Sequence, residues 1–343
     1  MDNKIEQIPV FFAVDDTYVP FLGIALQSLI DHSSENYCYM IKILHTSIND
    51  ANKAKIEKMQ KDNIQIEFVD LNYYIERISD KLYTRDYYTK ATYFRLFVPD
   101  LYPQFDKALY LDSDIIIRED VANLYNVELG RNLVAGVPDG AVQTVDIFKD
   151  YVEKVVGVID YNNYFNAGIL VMNLKELRRF RFQEKFLYLL VTVKFAVAQD
   201  QDYLNRLCKG RTKIIDKTWN VMPMKELEIA PEDTKIIHYN LAYKPWHFDN
   251  ILYEEFFWEC AKKTEFYNDI LKIKQSYTDE QRKDDMDKGA KLIMLAKKEA
   301  DCVGDDRINR KITDNGGKSP ERLEILEKIK ELESAGIFDK DVE

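Results

Sequence analysis

The sequence predicts an α/β domain with a mostly parallel central sheet, followed by a helical appendage at the C-terminal end. Two observations lead to this fold class. Up to about Lys262, short apolar runs of strand length alternate with segments of helical periodicity. Such alternation favours parallel pairing, because each crossover helix returns the chain to the same end of the sheet, with helices on both faces. Beyond Lys262 the chain becomes rich in Lys, Glu, Asp and Arg, which marks a change of organisation.

The clearest strand and helix patterns lie in the first half of the chain. Ile8–Val14 is almost wholly apolar, as expected for a strand buried on both faces. Val19–Ile30 has apolar residues at helical spacing, and Asn49 is a candidate N-cap for a helix that continues to Lys61. The other predicted strands are Tyr39–Leu44, Ile64–Val69, Lys107–Leu111, Ile115–Ile117, Leu133–Val137, Gly168–Met172 and Lys235–Tyr239.

The change of composition divides the chain into two predicted units, residues 1–262 and a charged helical appendage over residues 263–343. In the appendage, apolar residues around Leu292 fit one helix face, and Ser319 with Pro320 fits the start of a second helix. Few apolar residues tie these helices to the sheet. We therefore expect the appendage to be separable, and its helices are candidates for self-association into a homo-oligomer.

Composition excludes several classes of protein. The chain of 343 residues has a formal net charge of -11, so nucleic acid is not expected as its main partner. Its four cysteines are scattered without a CxxC pair, which favours reduced thiols in the cytoplasm over a disulfide framework. No run approaches the ~20 apolar residues of a membrane-spanning helix. The sequence therefore predicts a cytoplasmic protein, with peripheral membrane attachment left open.

Asp112-Ser113-Asp114 is the sharpest chemical signal in the sequence. It lies between the apolar runs Ala108–Leu111 and Ile115–Ile117, and open parallel sheets bind ligands at the carboxyl ends of their strands. Two carboxylates one residue apart can reach the same hard cation, Mn²⁺ or Mg²⁺, which also binds phosphate oxygens. The alternative interpretation is an acidic turn between two strands.

A second group of residues joins the first predicted strand to the first helix. Ala13 is small enough for a planar base to approach the backbone, and Tyr18 offers an aromatic face for stacking. Asp15 could accept a hydrogen bond from a uracil imide or a ribose hydroxyl. The alternative is that Asp15 and Thr17 only cap the helix.

Two later segments carry further polar groups. His238 follows a short apolar strand, and Lys244 lies in the turn after it, so an imidazole and a phosphate-binding cation come from one stretch. Asn166 precedes an apolar strand, and Gln199–Asp202 supplies amides and carboxylates suited to sugar hydroxyls. The alternatives are a structural histidine and a solvated helix start with an acidic first turn.

Taken together, these segments resemble the retaining glycosyltransferases of family 8, which include bacterial lipooligosaccharide galactosyltransferases and glucosyltransferases and glycogenin. The resemblance implies a GT-A fold, which is Rossmann-like and binds nucleotide sugars, with a UDP-hexose donor and a Mn²⁺ or Mg²⁺ ion. It does not cover Lys262–Glu343. The matching segments follow the family's order between Ile8 and Asn250: FFAVDDTY, TYFRLFVPDLYP, KALYLDSDIII, YFNAGILVMN, QDQDYLN and HYNLAYKPWH.

The resemblance also implies a role for each matching residue. Asp112, Asp114 and His238 match the metal ligands, and Asp200 and Gln201 are the candidate catalytic residues. Leu241 departs from the pattern, because the family often has Gly there, which puts the closure of this loop in question. The predicted donor contacts are Ala13, Asp15, Thr17, Tyr18, Arg95, Ser113, Asn166 and Lys244.

The predicted function is therefore a metal-dependent, retaining transfer of glucose or galactose from a UDP-sugar to a glycan, glycolipid or protein-linked acceptor, as in the synthesis of cell-surface polysaccharides. The amide of Gln201 is a weak nucleophile, which favours front-face attack over double displacement. Deletion of Thr278–Glu343 is expected to leave donor hydrolysis largely intact. The sequence does not distinguish the two hexoses, since they differ at one hydroxyl.

Two alternatives belong to other classes. A sugar nucleotidyltransferase also uses a parallel sheet and metal-bound phosphates, but it usually has a Gly-rich basic loop after the first strand. Here that place holds Asp15 and Asp16, which would repel a triphosphate. A non-catalytic scaffold that binds nucleotide sugars is the second alternative, and loss of a metal ligand would favour it. A glycogenin-like protein that glycosylates its own tyrosines ranks below both.

Overall fold

The computed structural model describes residues 5–75 and 90–301. The predicted helix that starts at Ser319 lies outside the described residues, as does Cys302. No helix of the described part combines the length and the apolar character needed to cross a membrane.

A seven-stranded sheet forms the centre of the molecule, with the strand order β3-β2-β1-β4-β7-β6-β8. Pairing is parallel at four of its contacts and antiparallel only where β7 meets β4 and β6. The prediction of a mostly parallel sheet is therefore confirmed. The strands are β1 Glu6–Ala13, β2 Tyr37–His45, β3 Ile64–Asp70, β4 Ala108–Leu111, β5 Ile115–Ile117, β6 Val134–Gly136, β7 Ile169–Met172, β8 Thr212–Ile214 and β9 Ile236–His238.

Helices cover both faces of this sheet, and β5 pairs with β9 in a separate two-stranded sheet. The predicted helix after Asn49 exists, but it ends at Glu57. The chain turns there because Lys61 forms a bridge with Ile64 at the start of the next strand. The helices are α1 Val19–His32, α2 Asp50–Glu57, α3 Asn72–Ile75, α4 Val98–Leu101, α5 Val121–Tyr125, α6 Gly140–Thr144, α7 Asp146–Tyr151, α8 Leu174–Arg179, α9 Phe182–Thr192, α10 Asp200–Cys208, α11 Glu254–Ala261, α12 Tyr267–Ser276 and α13 Asp279–Asp301.

Two apolar clusters, one on each face of the sheet, make up the core. Strand β1 shows the division, because successive side chains of a strand point to opposite faces. Val10 and Phe12 pack with α1 on one face, while Phe11 packs with the other cluster. This two-sided burial explains why the strand is almost wholly apolar in sequence.

The described part of the predicted appendage packs on the sheet domain. The ring of Phe266, just before α12, is buried against Gly23 of α1, where a Cβ atom would lie 2.3 Å from the ring. At the far end of α13, Ala296 and Ala300 are buried in the cluster that includes α7. These helices therefore share apolar surface with the domain to a greater extent than their polar composition indicates. The division of the chain at residue 262 stays a prediction.

Candidate active site

A cleft opens at the carboxyl ends of β1 and β4, where an open sheet is expected to bind ligands. Ala13 ends β1 and lines one side, and the turn after β4 lines the centre. Of the predicted site residues, the structure brings these together around the cleft: Ala13, Tyr18, Arg95, Asp112, Ser113, Asp114, Asn166, Asp200, Gln201, His238 and Lys244.

The three predicted metal ligands meet in this cleft. Asp112 follows β4, and its N–H donates to the carbonyl of Gly168, which precedes β7. Antiparallel pairing of β5 with β9 sets His238 opposite Ile115, so that the imidazole lies beside the acidic turn. Its Nε2 is 3.2 Å from Asp114 Oδ1 and 3.8 Å from Asp112 Oδ2. One ligand atom from each residue lies within 4.8 Å of the others, a spacing and donor set that fit one divalent cation.

The orientation of His238 is set by a residue that sequence reasoning missed. Asn220 Oδ1 lies 3.0 Å from His238 Nδ1, and an amide oxygen can only accept a hydrogen bond. Asn220 therefore holds the Nδ1–H group, and Nε2 faces the two carboxylates, where it could ligate a metal ion as in protein metal sites. No sequence motif indicated a role for Asn220, which lies 18 positions before His238 in the chain.

Gly168 fits this cluster because it has no side chain. A Cβ atom there would lie 2.3 Å from His238 Cε1 and 2.7 Å from Asp112 Oδ2. Any other residue would displace one of these two groups. The glycine that the sequence shows before β7 is therefore a requirement for the close approach of β7 to the acidic turn.

Lys244 is buried and its ammonium group contacts the same cluster. Lys244 Nζ lies 2.5 Å from Asp114 Oδ2 and 2.7 Å from the carbonyl oxygen of Tyr239. Burial opposes ionisation of Asp114, but Lys244 and His238 outweigh it and hold the pKa of this carboxyl well below its usual range. Asp114 is therefore ionised at neutral pH, as a metal ligand must be.

The neighbouring Leu241 has a φ of 58°. That left-handed backbone conformation is one that glycine adopts without strain, and a leucine is uncommon there. The departure from the family pattern noted in the sequence thus falls on a position where the backbone favours glycine.

Arg95 is a second buried cation, on the opposite side of the acidic turn. Its Nη2 lies 3.1 Å from Asp112 Oδ1, and its Nη1 donates to the carbonyl of Ala167. Its guanidinium also lies 4.3 Å from the ring centre of Tyr110. These contacts hold the carboxylate of Asp112 in place. Arg95 therefore positions a predicted metal ligand, and it also lines the cleft.

Asp200 and Gln201 begin α10 and reach the cleft from there. Burial raises the pKa of Asp200 to about 7, although Arg95 opposes the shift. Asp200 Oδ2 is buried and forms an ion pair with Arg95, whose Nε lies 3.1 Å away but donates its hydrogen bond to the carbonyl of Thr92. A carboxyl oxygen that is buried in an ion pair but accepts no hydrogen bond still has the capacity to accept one from a ligand hydroxyl.

The side chain of Gln201 is held by hydrogen bonds at both ends. Its Oε1 accepts from the N–H of Ala167 at 2.9 Å, and its Nε2 donates to Asp139 Oδ2 at 3.1 Å and to Tyr164 at 3.2 Å. Asp139 also accepts from Asn166 Nδ2 at 3.0 Å. Sequence reasoning missed Asp139, and the available signal was its position in the loop that follows β6, three residues after the strand ends.

Asp15 and Thr17 cap a short helical turn. Asp15 Oδ1 accepts from the N–H groups of Thr17 and Tyr18 and from the Thr17 hydroxyl, at 3.0, 3.2 and 2.6 Å. The capping interpretation is what the structure shows, whereas Ala13 and Tyr18 line the cleft. A contact of Asp15 or Thr17 with a nucleotide stays a prediction.

The fold and the arrangement of this cleft define a glycosyltransferase. The chain belongs to glycosyl transferase family 8, whose sequence model matches residues 9–250. The match includes every predicted site residue and ends just before α11.

Curated relatives and solved structures agree with this assignment. The lipopolysaccharide 1,2-glucosyltransferase of Escherichia coli K12 is 26% identical over 86% of this chain and 85% of its own. The lipopolysaccharide 1,3-galactosyltransferase of Salmonella typhimurium is 23% identical over 71% of this chain and 74% of its own. Among solved structures, the galactosyltransferase LgtC is 27% identical with a TM-score of 0.62 and covers 75% of this chain and 96% of its own. The bifunctional glycosyltransferase WbbM is 26% identical with a TM-score of 0.69 over 80% of this chain and 53% of its own.

Proposed function

We propose that this glycosyltransferase transfers glucose or galactose from a UDP-sugar, with retention of configuration and with a divalent metal ion, to a glycan, glycolipid or protein-linked acceptor. The observation that carries the proposal is the cluster of Asp112, Asp114 and His238 with Lys244 beside it. Two carboxylates and an oriented imidazole suit Mn²⁺, and Mg²⁺ less well because of the nitrogen ligand. The named relatives act on lipopolysaccharide, which supports a cytoplasmic role in cell-surface polysaccharide synthesis.

Different residues of the cleft would contact the base, the diphosphate and the sugar of such a donor. Tyr18 and Ala13 offer a flat surface for the base, and Lys244 offers a cation for the diphosphate. A metal ion bound by the three ligands would neutralise the diphosphate and stabilise the departing UDP. Asp200, Gln201 and Asn166 lie where they could bind the sugar hydroxyls.

Breaking the anomeric bond leaves positive charge on the sugar, and polar oxygen atoms near that carbon would stabilise it. Gln201 Oε1 already accepts from Ala167, so the amide is fixed in orientation before the sugar enters. A fixed amide oxygen is a weak nucleophile but a good dipole, which favours front-face attack by the acceptor over a covalent intermediate.

The first experiment is titration calorimetry of UDP with and without Mn²⁺. Parent protein should bind UDP tightly only with Mn²⁺, and Asp112→Asn and Asp114→Asn should lose this dependence while their thermal melts show a folded protein. Asp106→Asn is a matched control, because Asp106 is an exposed acid in an ion pair with Lys175. Equal UDP affinity in parent and Asp114→Asn would contradict the metal role.

A second experiment tests the stereochemistry and the hexose. Parent protein is incubated with Mn²⁺ and either UDP-glucose or UDP-galactose, and NMR follows the anomeric proton of the first product formed. We expect an α product from one of these α-linked donors. A β product would contradict retention while leaving the UDP-sugar assignment intact.

A further inference from the structure

Helices α12 and α13 lie outside the region that matches the family, yet they contact the segment that carries Lys244. We define the Lys244 segment as residues 240–248. We propose that α12 and α13 form a clamp that positions this segment, with Lys274 and Arg282 as positioning residues for Lys244. The proposal extends the proposed function, since Lys244 is assigned there to the diphosphate.

One side of the Lys244 segment is fixed by the core. The indole of Trp246 is buried and stacks on Phe21 of α1, with ring centres 4.1 Å apart and planes inclined by 20°. It also packs against Phe257 of α11 at 5.0 Å. This contact anchors one side chain of the segment, but it leaves the backbone on either side of Trp246 to be held by other groups.

Two cations of the C-terminal helices hold that backbone. Lys274 Nζ of α12 donates to the carbonyl oxygens of Pro245 and Phe248 at 3.1 and 3.3 Å. Arg282 Nε of α13 donates to the carbonyl oxygen of His247 at 2.8 Å. Three of the four carbonyls after Lys244 therefore accept from charged donors, which form stronger hydrogen bonds than neutral ones.

A side-chain cluster joins the same elements. The rings of His247 and Tyr277 are stacked 3.7 Å apart and nearly parallel, and the Tyr277 hydroxyl donates to Asp285 of α13. Asp285 is buried and also accepts from Lys288 at 3.0 Å. The cluster links the end of the Lys244 segment to the start of α13 and fixes the distance between them.

The far part of α13 is fixed as well. Ala296 and Ala300 are buried beside α7, and Leu292 lines the cleft between these two ends. A helix of 23 residues is about 34 Å long. α13 thus runs as one rigid element from the Lys244 segment, along the cleft, to α7. A segment held to such an element is pre-organised, so its lysine need not be ordered when the diphosphate binds.

The test removes the clamp without touching the cleft. The double variant Lys274→Met, Arg282→Met keeps the apolar stems and loses the three hydrogen bonds to the segment. Asp249→Asn and Asp279→Asn are matched controls, because these exposed acids pair with Lys274 and Arg282 at 2.7 and 2.9 Å. The controls remove an ion pair from each cation but leave its contact with the carbonyls. Lys274→Arg with Arg282→Lys is the conservative variant.

Two readouts separate this proposal from the proposed function. Hydrogen exchange of residues 240–248 in the ligand-free protein should be faster in the double variant only, whether or not UDP is the natural ligand. Affinity for UDP with Mn²⁺ should fall about tenfold if the competent conformation drops to roughly a tenth of the population. The conservative variant should recover most of that affinity, and thermal melts should show each variant folded.

Each outcome of these measurements decides either the clamp or the proposed function. Unchanged exchange and unchanged UDP affinity in the double variant would overturn the clamp, as would equal losses in the two controls. The clamp would also be overturned if the double variant were less stable overall but its folded molecules bound UDP with the affinity of the parent. If the parent protein binds no UDP, the proposed function fails, and the exchange measurement still decides whether α12 and α13 position the segment.

Discussion

At the scale of residues, amide side chains join the candidate metal ligands to the part of the cleft that is proposed to bind the sugar. Asn220 accepts from His238 and donates to Asn166 Oδ1 at 3.0 Å, and Asn166 donates in turn to Asp139. Asp139 accepts from Gln201, which completes a path from the imidazole to the candidate catalytic amide. Each amide uses both its oxygen and its nitrogen, so replacement of one member would disturb its neighbours on both sides.

The proposed function assigns Lys244 to the diphosphate and His238 to the metal ion, so their variants should respond differently to Mn²⁺. Lys244→Ala should weaken donor binding and turnover together, with ~2–4 kcal/mol lost from transition-state stabilisation, and added Mn²⁺ should not restore it. His238→Ala should lower metal affinity, and high Mn²⁺ should partly restore its activity. The measurement is steady-state kinetics of both variants across a Mn²⁺ titration.

The control for that experiment is Tyr243→Phe, because Tyr243 is an exposed neighbour of Lys244 in the same segment. It should behave as the parent. Parent-like donor affinity and turnover in Lys244→Ala would show that the segment does not close on the diphosphate, and the phosphate role would then pass to another cation of the cleft.

We expect Asp202 to make the stability of the protein depend on pH. It accepts from Tyr151 and Tyr164 at 2.7 Å each, but burial raises its pKa from 3.8 to about 6. A raised pKa means that the folded state holds the proton more tightly, so the stabilisation is complete below pH ~4 and is lost as the pH rises to about 6. Relative to Asp202→Asn, which does not titrate, the parent should lose up to ~3 kcal/mol across this range.

Urea denaturation of both proteins at several pH values between 4 and 7 measures this difference. The variant will be less stable overall, since an amide nitrogen cannot accept the hydrogen bonds made to the carboxylate. The prediction concerns the slope only. Parallel pH profiles for the two proteins would show that Asp202 stays ionised in the folded state throughout.

At the scale of elements, the antiparallel strand β7 places Gly168, which precedes it, against His238 and Asp112. Gly168→Ala should leave the sheet intact but displace His238 or Asp112, because the new Cβ would overlap them. Apparent Mn²⁺ affinity should fall about 10–100-fold, as for other changes behind metal ligands. Electron paramagnetic resonance of free Mn²⁺ measures this directly, without any assay of transfer.

Gly289→Ala in α13 is the matched control, because a Cβ atom there has no neighbour within 4 Å. It should bind Mn²⁺ as the parent does and gain ~0.5–1 kcal/mol of stability, since alanine favours a helix interior over glycine. If both glycine variants bound Mn²⁺ equally well, the close approach of β7 would not be needed for the site.

At the scale of the whole molecule, the sequence predicts what depends on short segments. Apolar runs located β1 and β4, and Asp112 was found after β4 because parallel sheets bind ligands at the carboxyl ends of their strands. The sequence also located His238, at the end of the run that forms β9, although β9 belongs to the separate antiparallel pair. It could not predict Asn220, whose role depends on a fold that brings it beside His238. The sequence also could not predict that β7 is antiparallel to its neighbours, because a short apolar run has the same pattern in either direction.

The C-terminal helices were harder to interpret for a related reason. α13 is mostly polar in sequence, and its buried residues are Asp285 and two alanines, Ala296 and Ala300. Small residues carry a weak apolar signal, although they allow two helices to pack closely. The sequence therefore predicted a separable appendage, and its contacts with α7 and the Lys244 segment became visible only in three dimensions.

Truncation tests this directly. Deletion of Thr278–Glu343 would expose the surface beside α7 that Ala296 and Ala300 cover, and it would remove Arg282. We now expect a lower melting temperature and weaker binding of UDP with Mn²⁺, rather than the largely intact donor hydrolysis that the sequence alone predicted. A truncated protein with the melting temperature and UDP affinity of the parent would show that the deleted part is separable, as the sequence predicted. Mass photometry of the same pair of proteins reports whether these helices mediate self-association.

Because α13 extends from the Lys244 segment to α7, it affects where the junctions of fusion proteins and family chimaeras should be placed. A recombinant fragment that ends at residue 250 would carry all the ligands and donor contacts proposed here, because the family match ends there. It would lack Lys274 and Arg282, and with them the hydrogen bonds to the Lys244 segment. Exchanging that fragment between relatives would transplant the chemistry without its support, so junctions placed by sequence similarity alone should give weak enzymes, and junctions placed after α13 should not.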